Sequence, residues 1–358
     1  MEKIKEKFDL AVIGGGPAGI MAAGRAAELG ARVVLIEKNQ VFGKKLLITG
    51  NGRCNITQAE FNDKKFVEKL GKNGQFLLSA LSVFGPEETI KFFENNGLKI
   101  KEERGGRIFP VSDKAEDVLN VLLKYLHKNK VKFILGQEVI GFNVKKRIIE
   151  SVKLKGGEIA AHRFILCTGG KSYPQTGSTG SGYEWAEKMG HKIINPKPAL
   201  VPVETMENWV LDVQGLNLKN ISVALFQNNK KLDYRFGEML FTHFGLSGPI
   251  ILDLSKKIGE LLAVGEVVLE IDLKPAIDFL TLDKRLQRDF KNNKNFKNYL
   301  PELVPRKLSG LIVRFSKISP DKKLNSITKE ERKKLISVLK GLKLRRLYLM
   351  IVYPVLYI

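Results

Sequence analysis

The residues whose type and spacing point most directly to chemistry stand near the start of the 358-residue chain, at Gly14-Gly15-Gly16-Pro17-Ala18-Gly19. They form a G-x-G-x-x-G turn between the apolar run Leu10–Ile13 and an Ala- and Leu-rich stretch over Ile20–Leu29. Such a turn holds a pyrophosphate. Gly14 makes the tight bend, Gly16 lets the backbone approach the phosphates, and Gly19 lets helix and strand pack closely. Pro17 and Ala18 stand at the start of the helix, whose free N–H groups and partial positive charge face the anion. A second apolar run, Ala31–Ile36, ends in Glu37. A carboxylate at that distance hydrogen-bonds a ribose hydroxyl and disfavours the 2′-phosphate of NADP. An ordinary glycine-rich turn gives no reason for an acid at the tip of an otherwise apolar strand. The first 37 residues therefore predict a βαβ dinucleotide-binding unit.

Further candidates follow. The stretch Lys38–Lys45 leaves regular structure, and Thr49-Gly50-Asn51-Gly52-Arg53-Cys54 gathers backbone N–H groups, small side chains and one guanidinium. That composition suits phosphate or ring contacts, and it also suits a surface turn. Arg163–Cys167 reads as a buried strand ending in Thr168-Gly169-Gly170, a second backbone approach to the same ligand. Candidate proton-transfer groups are Tyr173 and Lys171, in the loop KSYPQTGSTGSG, and His243, between two phenylalanines. A histidine in that setting also suits plain packing. Cys54 and Cys167 form no C-x-x-C pair, so a redox disulfide is not expected, and Cys54 reads as a small residue beside the ligand. His127, His162 and His191 show no metal-ligand spacing, and no metal is expected.

The elements that must position these residues can be read more coarsely. Hydrophobic content of 44% with 27% charged residues is that of a globular protein, long enough for two or three domains. Helices are predicted over 61–96 and 112–129, a hairpin over 97–110 turning at Gly105-Gly106, and a strand at 131–135. A meander follows from Gln137, with a turn at Gly156-Gly157, and a short helix over 183–189. Composition shifts near Asn195-Pro196-Lys197-Pro198. Residues 199–273 read as β-rich with a turn at Asn228-Asn229, and 275–342 as lysine-rich and helical. The predicted division is 1–196, 197–274, 275–342 and an apolar tail at 343–358. No stretch is long enough to span a bilayer, and Met1–Lys7 is too short and charged for a signal peptide, so no membrane partner is expected. Two distant cysteines predict a reducing, cytoplasmic setting. The net charge of +22 is read as lysine scattered over the surface for solubility. With no aromatic-interleaved basic patch, no nucleic-acid partner is expected.

Four stretches taken together, DLAVIGGGPAGIMAA, GKKLLITGNGRCNIT, CTGGKSYPQTGSTGSGY and GEMLFTHFGLSGPIIL, resemble the BaiN-like, aminoacetone-oxidase-type FAD flavoproteins. These are distant relatives of fumarate-reductase-type flavoproteins. The resemblance implies an α/β, Rossmann-like FAD-binding domain carrying an inserted β-barrel-like part and a helical part. It implies FAD as the dinucleotide, held by Gly14, Gly16, Gly19 and Glu37 with Lys38 and Lys45 alongside. Thr49–Cys54 would lie along the pyrophosphate and flavin; by its own chemistry Arg53 suits the pyrophosphate, with an anionic substrate as the alternative. The Val139 backbone would lie near adenine, and Thr168, Gly169 and Gly170 would close the site. The implied reaction is two-electron redox of a small organic substrate, with NAD(P)H or oxygen as electron partner. The tail departs from the family's returning segment, GLYFAGE…GGYN. It reads as a truncated or frame-shifted end, with a divergent strand or an interfacial anchor as alternatives. Two further readings stay open: a cofactor-poor flavoprotein, and a flavin-dependent RNA-modifying enzyme.

Overall fold

The computed structural model describes residues 8–345, 347–349 and the backbone of 356–357. The chain forms two compact units, Met1–Ile194 and Asn195–Ile358.

The first unit runs β1 (Phe8–Ile13), α1 (Pro17–Glu28), β2 (Val33–Ile36), α2 (Lys44–Ile48), β3 (Thr57–Gln58), α3 (Asp63–Glu68), α4 (Leu78–Leu81) and α5 (Pro86–Asn95). It continues with β4 (Ile100–Glu103), β5 (Arg107–Pro110), α6 (Ala115–Lys128), β6 (Lys132–Ile134), β7 (Val139–Lys145), β8 (Ile148–Leu154), β9 (Gly157–Leu166) and α7 (Ser181–Lys188). Six strands make one sheet in the order β6-β2-β1-β9-β8-β7. The first four of these are parallel, and β9, β8 and β7 form an antiparallel meander. Leu10, Val12, Val33 and Leu35 face α1 and α6, while Ala11, Ile13, Val34 and Ile36 face the meander. Central parallel strands covered on both faces must be apolar at every position, which is why these runs carry no alternation. From β1 the chain passes to β2 on one side, while β9 pairs on the other. The carboxyl ends of β1 and β9 therefore flank the point where strand order reverses, the usual ligand crevice of an open α/β sheet.

The second unit contains β10 (Pro198–Ala199), β11 (Val203–Thr205), α8 (Trp209–Asp212), β12 (Asn217–Gln227), β13 (Lys230–Phe241), β14 (Gly245–Ser247), α9 (Pro249–Leu262) and β15 (Val268–Asp272). Then come α10 (Phe279–Asp289), α11 (Phe296–Leu303), α12 (Arg306–Ser316), α13 (Lys329–Lys340), β16 (Leu342–Leu344), β17 (Leu347–Leu349) and β18 (Leu356–Tyr357). Seven strands pair antiparallel in the order β16-β15-β12-β13-β14-β11-β17, and β10 pairs with β18. The two edge strands are separated by only two residues of chain, so the edges lie within about 10 Å of each other and the sheet curls strongly. One hydrophobic core joins the inner faces of this sheet to α9–α13.

Two expectations need correction, and two need refinement. The segment after Glu37 is not wholly irregular, since Lys44–Ile48 is a short helix and Thr49–Gly52 a 3₁₀ turn. The stretch 199–273 is β-rich as expected, and it also holds one long helix. Pro249–Leu262 is a helix that buries Ile250, Ile251, Leu254 and Ile258 at helical spacing behind a Gly248-Pro249 start. The strand before Thr168 is not fully buried, since Ile165 and Leu166 are each 39% exposed. The basic excess is spread through the chain as expected, but unevenly within the second unit. Residues 195–283 hold 8 Lys and Arg against 12 Asp and Glu, whereas residues 284–345 hold 19 against 5. The Asn228-Asn229 turn is as expected, with both residues at positive φ. Of the apolar tail, 343–345 and 347–349 are described and belong largely to β16 and β17, while residues 346, 350–355 and 358 lie outside the described residues. No helix among the described residues is long and apolar enough to cross a membrane.

Candidate functional site: a dinucleotide cavity at the sheet's switch point

A cavity of about 590 Å³ opens at the carboxyl ends of β1, β2 and β9, where Ile13, Ile36 and Leu166 form part of its floor. That volume is within the usual range for small-molecule sites, roughly 300–1,000 Å³. The glycine turn makes one wall. A Cβ on Gly19 would lie 1.8 Å from the Gly14 carbonyl oxygen, and one on Gly14 would lie 2.3 Å from the Cys167 carbonyl oxygen. Both positions therefore exclude a side chain, and Gly14 also has φ +108°. Gly16 is different: among the described residues nothing lies within 4 Å of a Cβ built there, so it faces open space on the cavity side. The first i→i−4 bond of α1 runs from Ile20 N–H to Gly16 O at 2.9 Å. The N–H groups of Ala18 and Gly19 precede it, and the Gly16 cap position offers no side chain to them. Open space at Gly16, beside an uncapped helix start, fits the pyrophosphate of a dinucleotide.

Glu37 is not free to serve the ribose alone. It is 8% exposed, and its Oε2 accepts the Gly15 N–H at 2.6 Å. Its Oε1 accepts the Asn39 N–H at 2.7 Å and Asn39 Nδ2 at 2.6 Å. The carboxylate thus buckles the glycine turn to the end of β2, a role that the motif spacing does not reveal. Phe42 completes the fit, since its ring would lie 2.3 Å from a Cβ on Gly15.

The opposite wall comes from the loop after β9. Lys45 Nζ donates to Ser178 Oγ at 2.6 Å, Lys38 Nζ to Thr179 Oγ1 at 3.4 Å, and Asn39 Nδ2 to the Thr176 carbonyl at 3.1 Å. The Lys45 ammonium has no carboxylate partner among the described residues, and burial pushes its pKa below the ordinary lysine value. It is therefore a half-buried cation that an anionic ligand would stabilise. Lys38 and Lys44 add positive charge to the lining, against Glu37 and Glu138.

Of the residues expected to bind the cofactor, the lining brings together Gly14, Gly16, Pro17, Ala18, Glu37, Lys38, Lys45, Val139, Thr168 and Gly169. Gly19 lies behind the wall, and Gly170 lies outside the lining. Thr49, Gly50, Asn51, Gly52, Arg53 and Cys54 do not line the cavity either. Arg53 Nη1 pairs with Glu103 at 2.9 Å and Asp113 at 3.4 Å, and its guanidinium lies 4.1 Å from the Phe109 ring centroid. Cys54 is buried, and burial raises its thiol pKa, as it does that of Cys167. Neither cysteine has the character of a reactive thiolate. Tyr173 has φ +54° and stands outside the lining, as does Lys171. The tyrosine that reaches the cavity is Tyr183, in the first turn of α7 and beside Gly170. His243 belongs to the second unit, exposed in the turn between β13 and β14 with its ring edge-on to Phe244. No group of three or more potential metal ligands occurs among the described residues. Asn39, Phe42 and Ser178 were not singled out by sequence reasoning. Only the last carried a signal, as part of the Gly/Ser/Thr loop.

The HI0933-like protein Rossmann domain family matches residues 8–272. A 3-dehydro-bile acid Δ(4,6)-reductase of Clostridium scindens is 35% identical over 76% of this chain, and the match spans 64% of that relative's length. A ribosomal RNA dihydrouridine synthase of Escherichia coli is 30% identical over 93% of this chain and 80% of its own. The solved 3-ketosteroid-Δ4-(5α)-dehydrogenase of Rhodococcus jostii is 14% identical, with a TM-score of 0.46 over 97% of this chain and 86% of its own. With the family model matched over most of its residues, this chain belongs to the HI0933-like Rossmann-domain family.

Proposed function

We propose that this protein is an FAD-dependent oxidoreductase that carries out two-electron redox of a small organic substrate. The observation that carries the reading is the opening beside Gly16, next to the uncapped start of α1, at the point where the sheet's strand order reverses. Bound FAD would supply the electron-transfer chemistry. The chain's own part is to bind and orient. The first-turn N–H groups of α1 would hold the pyrophosphate, Glu37 keeps the turn in its receptive shape, and Lys45 offers a poorly solvated positive charge. Val139 and Trp185 give the cavity an apolar wall suited to a flat ring. The name of the Clostridium scindens relative supports a small organic substrate. The purified protein is expected to be yellow and to release one FAD per chain on heating. A colourless protein that does not take up added FAD would overturn the reading.

A second reading has its own support. The Escherichia coli relative, matched over 93% of this chain, is named for ribosomal RNA, and residues 284–345 carry a concentrated positive charge. In that reading the substrate is a pyrimidine of RNA. Mass analysis of RNA incubated with the reduced protein separates the two. A gain of two hydrogens on a uridine supports RNA, and no gain under conditions where a small unsaturated ketone is reduced sinks it.

A further inference from the structure

The strongest charge asymmetry in the molecule lies within the second unit and has no part in the cavity just described. Residues 195–283 have an excess of four acidic groups, and residues 284–345 an excess of 14 basic ones, out of a net +22 for the whole chain. The basic segment comprises the end of α10 and all of α11, α12 and α13. Helix α13 packs between α10 and α12, and Arg332 of α13 pairs with Asp283 of α10 at 2.6 Å. The inner sides of all four helices enter one core through Leu286, Leu300, Ile312 and Ile336. Their outer sides therefore turn to solvent together.

Some of the basic residues are neutralised where they stand. Lys294 pairs with Glu302 at 2.9 Å, Lys297 with Asp321 at 2.6 Å, and Lys322 with Glu331 at 2.7 Å. Others are exposed with no carboxylate within ion-pair distance among the described residues: Lys284 on α10, Lys291 just after it, Arg306 at the start of α12, and Lys329, Lys333 and Lys334 on α13. Glu330 is the exposed acid among them. A cluster of like charges is self-repelling, and a polyanion would relieve it by exchanging its own counterions for these side chains.

We propose that the outer face of α10, α12 and α13 binds the phosphate backbone of RNA. The chemistry of the face distinguishes RNA from an anionic bilayer. Membrane-surface helices combine basic residues with an exposed apolar wedge. Here the large exposed apolar side chains on α10–α13 are Phe279 and Leu280 in the first turn of α10, one turn before Lys284, and α11, α12 and α13 carry none. On α12 and α13 the face is hydrated and charged with no large apolar side chain exposed, which suits a phosphodiester chain. The inference goes beyond the second reading above, on which it partly rests, because binding would hold whether or not the flavin acts on the RNA.

The test uses the full-length protein and a fluorescein-labelled RNA stem-loop, followed by anisotropy at a series of salt concentrations. Binding is expected to weaken steeply with salt. A Lys284→Ala, Lys329→Ala, Lys333→Ala, Lys334→Ala variant is expected to lose affinity at least tenfold and to flatten the log–log salt slope by about three, near the 0.7–0.9 expected per phosphate contact removed. A control with four exposed lysines of the first unit changed, Lys64, Lys65, Lys124 and Lys188 to Ala, should bind like the parent. Unchanged melting temperatures exclude misfolding as the cause. The proposal fails if the parent does not bind, if both variants lose affinity equally, or if phosphatidylserine vesicles bind and the RNA does not. Failure of the binding test leaves the hydrogen-gain assay free to decide whether RNA is a substrate, so the two ideas fall separately.

Discussion

Two glycine-rich turns in the first unit look alike in sequence and do opposite things. In Gly14–Gly19, glycine is required for space: the turn lets β1, β9 and α1 approach to backbone contact, and Gly16 opens on the cavity. In Thr49–Cys54, the demand is conformational. Gly50, Asn51, Gly52 and Cys54 all have positive φ, and the N–H groups of Arg53 and Cys54 close onto Gly50 O and Thr49 O within the turn itself. The first turn gives its Gly14 and Gly15 N–H groups to Ile36 O and Glu37 but leaves those of Ala18 and Gly19 uncapped at the start of α1, whereas the second closes its last two N–H groups onto itself and ties its one guanidinium to Glu103, Asp113 and Phe109. Glycine content alone does not mark a phosphate site. What marks it is whether the N–H groups remain unpaired.

The contrast can be broken at several points. The largest effect is expected at Gly19→Ala, where the added methyl meets backbone. Destabilisation should be about 3 kcal/mol or more, read by chemical denaturation with FAD present and absent. Gly16→Val should separate binding from folding. A Cβ there meets nothing within 4 Å among the described residues, so the melting temperature should hold while bound FAD is lost on gel filtration. Glu37→Gln places an amide N–H₂ against N–H donors and leaves one poorly paired, which should cost about 1–3 kcal/mol even without FAD. If stability is unchanged and only FAD affinity falls, Glu37 serves the ribose and not the turn.

Lys45 supplies a pH test. Its folded pKa lies below the ordinary 10.5, so the folded protein gives up this proton at lower pH than the unfolded chain. Between those two values the unfolded state binds more protons, and this group's contribution to stability therefore rises with pH. Anion binding runs the other way: FAD affinity should fall as Lys45 deprotonates on the alkaline side, and Lys45→Arg should flatten that fall. A parent profile no steeper than the arginine variant's would remove Lys45 from the anion site. The smallest effect is expected at Arg53→Ala. Its ion pairs are partly exposed, so the loss should be about 1 kcal/mol of stability, with FAD content unchanged. Loss of FAD without loss of stability would restore Arg53 to the cofactor.

Much of this was legible because it depends on local rules. The unalternated apolar runs of β1 and β2, Pro17 at the helix start, and the Gly105-Gly106 and Asn228-Asn229 turns each carry their signal within a few residues. Helix α9 was less legible, because it opens on the short apolar run Pro249–Leu252 and such runs fit a strand and a buried helix equally. The basic face was missed for a different reason. Its lysines are spread along the chain, and they form a surface only because α13 packs between α10 and α12.

The sequence by itself determined the βαβ unit, the glycines that no other residue can replace, and the family, since these rest on backbone sterics and on periodicity over short stretches. Tertiary structure decided which polar groups remain available. Glu37 is turned inward by Gly15 and Asn39, Arg53 is held by Glu103 and Asp113, and Lys45 is left beside Ser178 without a carboxylate among the described residues. The partners in these contacts include residues 50 to 133 positions away, and only the packing of the sheet brings them within hydrogen-bond reach.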